Sequence, residues 1–500
     1  MFDFKGLIDI LLRRARDEQY SGPSATHLMS YLPRSDTLIA LTEIVKAVAA
    51  LNRDPKIALR ERYRAVLDFD EKARPLIDTL VAIYRGRDHI DGMSPRQVLP
   101  SLLACWQELA AAYKVCLKQH AQRPSSRFAE HAELVTLRAV GYYIQQAKWA
   151  YIRYFDTDTK VWRNLNRLYQ IADSAGFVGK PIVRYPGEAA SSIADHYLRA
   201  ALLRLAEPDR RRPEDVWRID DWLLALHNHV KVDRVFRARE QSFAINLDDA
   251  RPPMKLRRNM VGERYRYLST EGLSHYLREL AQAASHGTMP AFVGPIDKAD
   301  HSLIAHLLAD LALVFSRAGQ ERTRRSERKA SPRDVDAAPG LGLAISLLRA
   351  ERGDWLNWSL LDESVNGMGA HYKASYDDRL QVGEIIALRE QDGQTCLSVV
   401  RRLSKSRDNL VRVGAERLCA QPVPVSLDDA GGSRPALFCQ DAGHGERALL
   451  LSRHDWQLQA EFTLAATSKR YQIRLGNLLE EMPDYVLCAF SVIARQGQPA

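Results

Sequence analysis

From the start of the chain to about residue 235, apolar residues recur at intervals of three and four, the spacing that lines one face of a helix. Leu102, Leu103, Trp106, Leu109 and Tyr113 form one such stripe; Tyr142, Ile144, Trp149, Ile152 and Tyr154 form another. Breaks fall at turn-forming clusters: Ser21-Gly22-Pro23, Arg123-Pro124-Ser125-Ser126 and Pro208-Asp209-Arg210. Trp162-x-x-Leu165-x-x-Leu168-Tyr169 has the shape of the first helix of a tetratricopeptide repeat. No second copy follows at that repeat's period, so it predicts a helix sinking an aromatic stripe into an all-α core.

A mixed stretch comes next. Phe243–Leu247 alternates like a half-buried strand, with Arg264–Leu268 as its expected partner, and helical spacing returns over Leu273–Ala284 and Ser302–Phe315. Beyond residue 333 the period switches to two, in Thr395–Val399, Val411–Glu416, Trp456–Leu464, Tyr471–Leu475 and Tyr485–Ile493. Short alternating runs with turn signals between them predict an all-β barrel or sandwich. Gly431-Gly432-Ser433-Arg434-Pro435 reads as a boundary within it. The expected domains are 1–235, helical; 236–320, a mixed α/β connector; 321–425, a β-barrel; and 426–500, a β extension.

At 500 residues the chain is too long for one ordinary core. Its 46% apolar and 27% charged residues suit a soluble protein. No apolar run approaches the ~20 residues that span a bilayer, and the N-terminus lacks a secretory cleavage pattern, so a cytoplasmic location is expected. None of the six cysteines forms a Cys-x-x-Cys pair; Cys396 and Cys488 read as buried thiols. The net charge is +9, and six basic residues against two glutamates place +4 of it within Glu321–Arg333.

That cluster and the turn that follows it carry the candidate chemistry. Arg324 and Arg328 stand four apart with Arg325 beside them, and guanidinium groups make forked, charge-assisted bonds to phosphates or to the O6/N7 edge of guanine. In Asp362-Glu363-Ser364-Val365-Asn366-Gly367 a carboxylate and a hydroxyl two residues apart project to one face of an extended segment. Gly367 lets a ligand or neighbouring backbone approach closely.

The order Arg-x-x-x-Arg, then Asp-x-Ser-x-x-Gly, then short strands resembles the signature of PilZ domains, β-barrels that bind cyclic di-GMP. The resemblance spans about residues 321 to 425. Val382–Leu388, Val399–Leu403 and Val413–Glu416 look like later barrel strands, and Ala337-Ala338-Pro339-Gly340 reads as an inserted loop. Together with the helical spacing before it and the alternating runs after it, the expected fold is a multidomain α+β protein: a mostly α-helical N-terminal region, then an antiparallel PilZ-like β-barrel with additional C-terminal strands. The resemblance implies cyclic di-GMP as ligand, held by Arg324, Arg325, Arg328, Asp362, Ser364 and Gly367, with Arg322 and Arg333 as other arginine registers. The implied role is a second-messenger effector controlling motility or biofilm through a protein partner of the helical region. A ligand-free interaction scaffold is the alternative.

An enzyme is not expected. No phosphate-binding loop, nucleophile elbow, dinucleotide fingerprint, Gly-Gly-Asp-Glu-Phe cyclase motif or Glu-Ala-Leu phosphodiesterase motif is present. His227-Asn228-His229 and His301/His306 lack acidic partner motifs, so no metal or other cofactor is expected. Asp220-Asp221 and Glu480-Glu481 read as solvated or helix-terminal charges. Nucleic-acid binding through 321–333 lacks a supporting helix-turn-helix or base-stacking motif.

Overall fold

The computed structural model describes residues 37–89, 93–321, 328–349, 353–375, 379–442, 446–466 and 469–496. Among the described residues, seven helices make the N-terminal region: α1 (Thr37–Arg53), α2 (Leu59–Tyr84), α3 (Pro95–Gln122), α4 (Ser126–Tyr151), α5 (Thr159–Ser174), α6 (Ile193–Leu205) and α7 (Pro213–Leu226). Local chemistry sets their starts. The Gln97 side chain accepts from the Ser94 N–H (2.7 Å) ahead of α3. Ser192 and Asp195 bond each other's N–H across the first turn of α6, at 3.1 and 2.8 Å. The aromatic stripe of α5 is buried as its spacing predicts, and Trp149 and Trp162 lie at the centre of the core.

Two carboxylates are buried within these helices. Asp70 accepts from the hydroxyls of Tyr113, Tyr142 and Tyr185 and from Arg138 Nη1 (3.3 Å). Asp220, expected as a solvated charge, is fully enclosed instead. Arg199 grips it with two bonds of 2.6 Å and Lys148 Nζ lies 2.6 Å away. Burial alone would raise its pKa, but the two cations prevail and hold it well below the usual carboxylate range.

The connector is a four-stranded sheet of β1 (Lys231–Asp233), β2 (Phe243–Asn246), β3 (Met254–Lys255) and β4 (Tyr265–Ser269), ordered β1-β4-β2-β3. β2 pairs antiparallel with β4, Phe243 opposite Leu268, as the alternation predicts. Helices α8 (Glu271–Ser285), α9 (His301–Phe315) and α10 (Arg317–Glu321) follow. Phe243, Ile245 and Leu268 join the helical core, while Ala244 and Tyr267 face the other way.

The β region is two closed, antiparallel, six-stranded barrels. The first uses β5 (Lys329–Pro339), β6 (Leu356–Ser364), β7 (Gly367–Lys373), β8 (Ile385–Arg389), β9 (Thr395–Lys405) and β10 (Leu410–Cys419), ordered β10-β7-β6-β5-β8-β9. Helix α11 (Leu341–Leu348) bridges β5 and β6. Ala337–Pro339, expected in an inserted loop, ends strand β5 and pairs with β8. The second barrel uses β11 (Val423–Asp429), β12 (Gly432–Ala442), β13 (Glu446–Ser452), β14 (Glu461–Ala466), β15 (Lys469–Glu481) and β16 (Tyr485–Gln496), ordered β11-β12-β13-β16-β15-β14. The strands expected as an extension thus close on themselves, leaving no open edge between them.

Two local readings change. Gly431-Gly432 is not a boundary but the β11–β12 turn, where Gly432 has φ 125° and the Asp429 carboxylate accepts from the Gly431 N–H (2.8 Å). Trp456–Ala460 is not strand: Gln459 adopts φ 66°, turning the chain into β14 and leaving Leu458 exposed.

The barrels share a core. Ala387, Leu397 and Val399 of the first pack with Leu437, Leu450 and Leu487 of the second, and Ile345 of α11 joins them. Arg401 Nη2 donates to Glu480 (2.8 Å) across this junction, so Glu480 is not a free surface charge.

The helical region reaches the first barrel through Tyr154, just after α4. Its side chain is 5% exposed and lies in the barrel's own core among Leu380, Val382 and Leu403. Its hydroxyl accepts from the Val382 N–H (3.0 Å) and its carbonyl from the Lys405 N–H (2.7 Å). Tyr154 holds φ 61°, an uncommon value for a bulky side chain, sustained by these contacts. Arg402–Asp209 (2.5 Å) and Arg407–Asp158 (3.0 Å) flank it. Tyr154→Ala is expected to cost about 3 kcal/mol or more. Tyr154→Phe, which leaves the Val382 N–H unpaired, is expected to cost about 1–3 kcal/mol. Chemical denaturation with separate probes for helix and barrel checks both, and the Ala variant should split their transitions.

Candidate ligand-binding site

Strand pairing decides what the Asp362–Gly367 segment presents. Trp358 and Leu360 of β6 point into the barrel. A bulge follows, with the register slipping between Leu360 and Asp362. Past it, Asp362 lies opposite Gly369 and Glu363 opposite Met368, a core residue. Paired residues share a face, so Asp362 and Ser364 turn to the barrel's outer surface and Glu363 turns to its mouth.

The outer face is a shelf cleared by glycines. A Cβ on Gly369 would sit 2.9 Å from Asp362 Oδ1, and one on Gly367 would sit 2.9 Å from the Ala415 carbonyl oxygen. Of the two reasons for glycine at 367, neighbouring backbone is the one seen. Ser364 Oγ donates to the Gly367 carbonyl (3.2 Å), and the Arg417 N–H donates to the Asn366 carbonyl (3.0 Å), fixing the two-residue Val365-Asn366 turn.

The 34 positions between Arg328 and Asp362 are taken up by the β5–α11–β6 excursion, which returns the chain beside its start. Lys329 and Ala330 pair with Glu363 and Asp362, and Arg328 Nη1 donates to Asp362 Oδ1 (2.7 Å). Both side chains are exposed by more than a third (40% and 35%), so the pair is worth about 0–1 kcal/mol.

Arg333 has a different occupation. It lies on the inward register of β5 and forks onto Glu363, with distances of 3.2 and 3.0 Å, and also reaches Glu390 (3.0 Å). Its hydrogen bonds hold the Glu363 carboxyl below its ordinary pKa. Arg333 therefore closes the barrel mouth with its own carboxylates. Of the predicted set, Asp362, Ser364 and Gly367 lie on one hairpin and Arg328 reaches it from just before β5; Arg324 and Arg325, with Arg322, lie outside the described residues. Gly369 and the Arg333–Glu363 pair were missed; the Gly-x-Gly spacing of 367 and 369 is the signal for the first.

The helical region has a cavity of about 220 Å³ lined by Arg74, Arg138, Lys148, Arg184, Tyr185 and Trp217 among others. Its cations are committed: Arg74 and Arg184 to Glu188, Arg138 to Asp70, Lys148 to Asp220. Among the described residues no group of three His, Cys, Asp or Glu side chains could hold a metal ion, and His229 stacks on Tyr276 at 3.9 Å.

The helical region that carries Tyr154 has a known counterpart. Residues 23–238 match the family described as the cyclic-di-GMP receptor FimW, N-terminal domain. The match covers the helices and ends just past β1, so it falls on the region left without a family by the sequence and not on the barrel bearing the PilZ-like signature. No curated protein matches the chain.

The glycine shelf separates two substitutions. Gly367→Ala meets backbone and is expected to cost about 1–3 kcal/mol. Gly369→Ala meets a side chain that can rotate away, so it should cost under about 1 kcal/mol while parting Asp362 from Arg328. Urea unfolding of the two variants checks the order.

Proposed function

We propose that the protein is a cyclic di-GMP-binding effector rather than an enzyme, with the first barrel as a PilZ-like receptor domain. The observation that carries this reading is the match of residues 23–238 to a cyclic-di-GMP receptor's N-terminal domain, on a chain that continues into a closed barrel with an Asp-x-Ser-x-x-Gly hairpin. Each ligand phosphodiester or guanine edge accepts from Arg328, Arg324 and Arg325. Asp362 and Ser364 meet a guanine from the shelf, with Gly367 in the turn beside them. Arg328 then exchanges a weak, exposed carboxylate contact for charge-assisted bonds worth about 1.5–3 kcal/mol each.

Output passes through Tyr154. The helical region is seated on the barrel through this residue, so binding at the barrel acts on a contact the two parts share. The output is control of motility or biofilm through a protein partner of the helical region, in the cytoplasm.

Calorimetric titration with cyclic di-GMP tests this. The full chain is expected to bind at micromolar ligand or tighter, with Asp362→Ala and Arg324→Ala/Arg328→Ala each weakening binding tenfold or more, about 1.4 kcal/mol. No binding by the full chain would favour the ligand-free scaffold; binding indifferent to these substitutions would place the ligand elsewhere.

A further inference from the structure

A second concentration of exposed charge lies away from the barrel. Residues 231–266 contain ten Lys or Arg against five Asp or Glu, a net +5 of the chain's +9. The outward face of the connector sheet carries Ala244 and Tyr267, and two loops cover it. Phe236 of one loop and Leu256 and Met260 of the other pack on that face. These loops carry Arg234, Arg237 and Arg239 on one side and Arg257, Arg258 and Arg264 on the other, all exposed. Arg234 and Arg266 share Asp173 (2.5 Å each), and Arg237 lies beside Asp233 and Glu240, so part of the charge is balanced locally.

Between the arginines the loops expose valine. Val235 is 62% and Val261 57% exposed, and both loops are held from behind. Gln241 Nε2 donates to the Val235 carbonyl (2.8 Å), and Arg317 donates to the carbonyls of Ala238 and Arg239. The Tyr267 hydroxyl donates to the Met260 carbonyl (3.0 Å), and Arg266 Nη1 donates to the Glu263 carbonyl (2.9 Å). A groove of about 710 Å³ opens between them, lined by Arg234 and Arg266, by Asp173 and Glu263, and by Phe236 and Val261.

We propose that these two loops dock the protein on a membrane surface rich in anionic phospholipid. Basic residues on a rigid face are drawn to a negatively charged leaflet, and the valine tips enter the interfacial layer. The valines decide against nucleic acid, whose solvated phosphates offer them no apolar phase. The aromatic rings here, Phe236, Tyr265 and Tyr267, are packed in the small core and not displayed for base stacking. This surface is independent of the ligand proposed for the barrel.

Co-sedimentation of the full chain with vesicles of phosphatidylglycerol in phosphatidylcholine, against phosphatidylcholine alone, tests the inference without cyclic di-GMP. Preferential pelleting with the anionic vesicles is expected, falling as salt rises. Arg234→Glu/Arg257→Glu/Arg258→Glu should weaken it at least about tenfold. Val235→Ser/Val261→Ser should weaken it several-fold at fixed charge. All these positions are exposed, and an unchanged circular dichroism spectrum verifies the fold. Equal binding to both vesicles, pelleting unaffected by either variant, or tighter retention of duplex DNA than of anionic vesicles would overturn it.

Discussion

Where a helical region meets a barrel, the barrel's core must be closed at the meeting point, and here one phenol closes it. Tyr154 belongs by sequence to the end of α4 and by packing to the first barrel. Its ring replaces a side chain the barrel would otherwise have to supply, and its hydroxyl and carbonyl satisfy two barrel N–H groups. The backbone at Tyr154 is held in a left-handed conformation that an isolated helix end would seldom keep. The barrel is thereby joined to the end of α4, whose buried stripe runs through the region that matches a cyclic-di-GMP receptor's N-terminal domain.

The same economy operates on the barrel surface. A single bulge in β6 turns Asp362 outward and Glu363 inward, giving two adjacent carboxylates opposite tasks. Glu363 is spent on Arg333, which has further partners and stays in place. Asp362 is held by one exposed arginine, a contact weak enough to exchange. The structure thus divides its arginines into one that closes the barrel and one that is available at its edge. The second barrel braces the first through the shared apolar core and the Arg401–Glu480 contact, and Arg401 also bonds Glu416, the strand partner of Gly367.

Much of the fold was legible because periodicity is a local property. The α5 stripe, the β2–β4 pair and the switch to two-residue alternation each appear where the spacing put them. What failed was long-range. Asp220 reads as solvated until Arg199 and Lys148 arrive from two other helices. Trp456–Leu464 alternates, yet Gln459 turns because the chain must cross between strands. The hairpin residues were legible as a motif, and their outward face depends on a bulge that no spacing rule reveals. The basic connector loops were overlooked because their arginines are spread over 36 positions and converge only when two loops fold over one sheet face.

The central claim is that ligand captured at the β6–β7 hairpin is sensed by the helical region through Tyr154. Hydrogen exchange of the full chain with and without cyclic di-GMP tests it most directly, since it reports the hairpin and the junction together. The account predicts added protection over residues 360–370 with a matching change at 154–155, 380–383 and 403–405. Protection confined to the helical cavity, or hairpin protection with the Tyr154 junction unmoved, would contradict it.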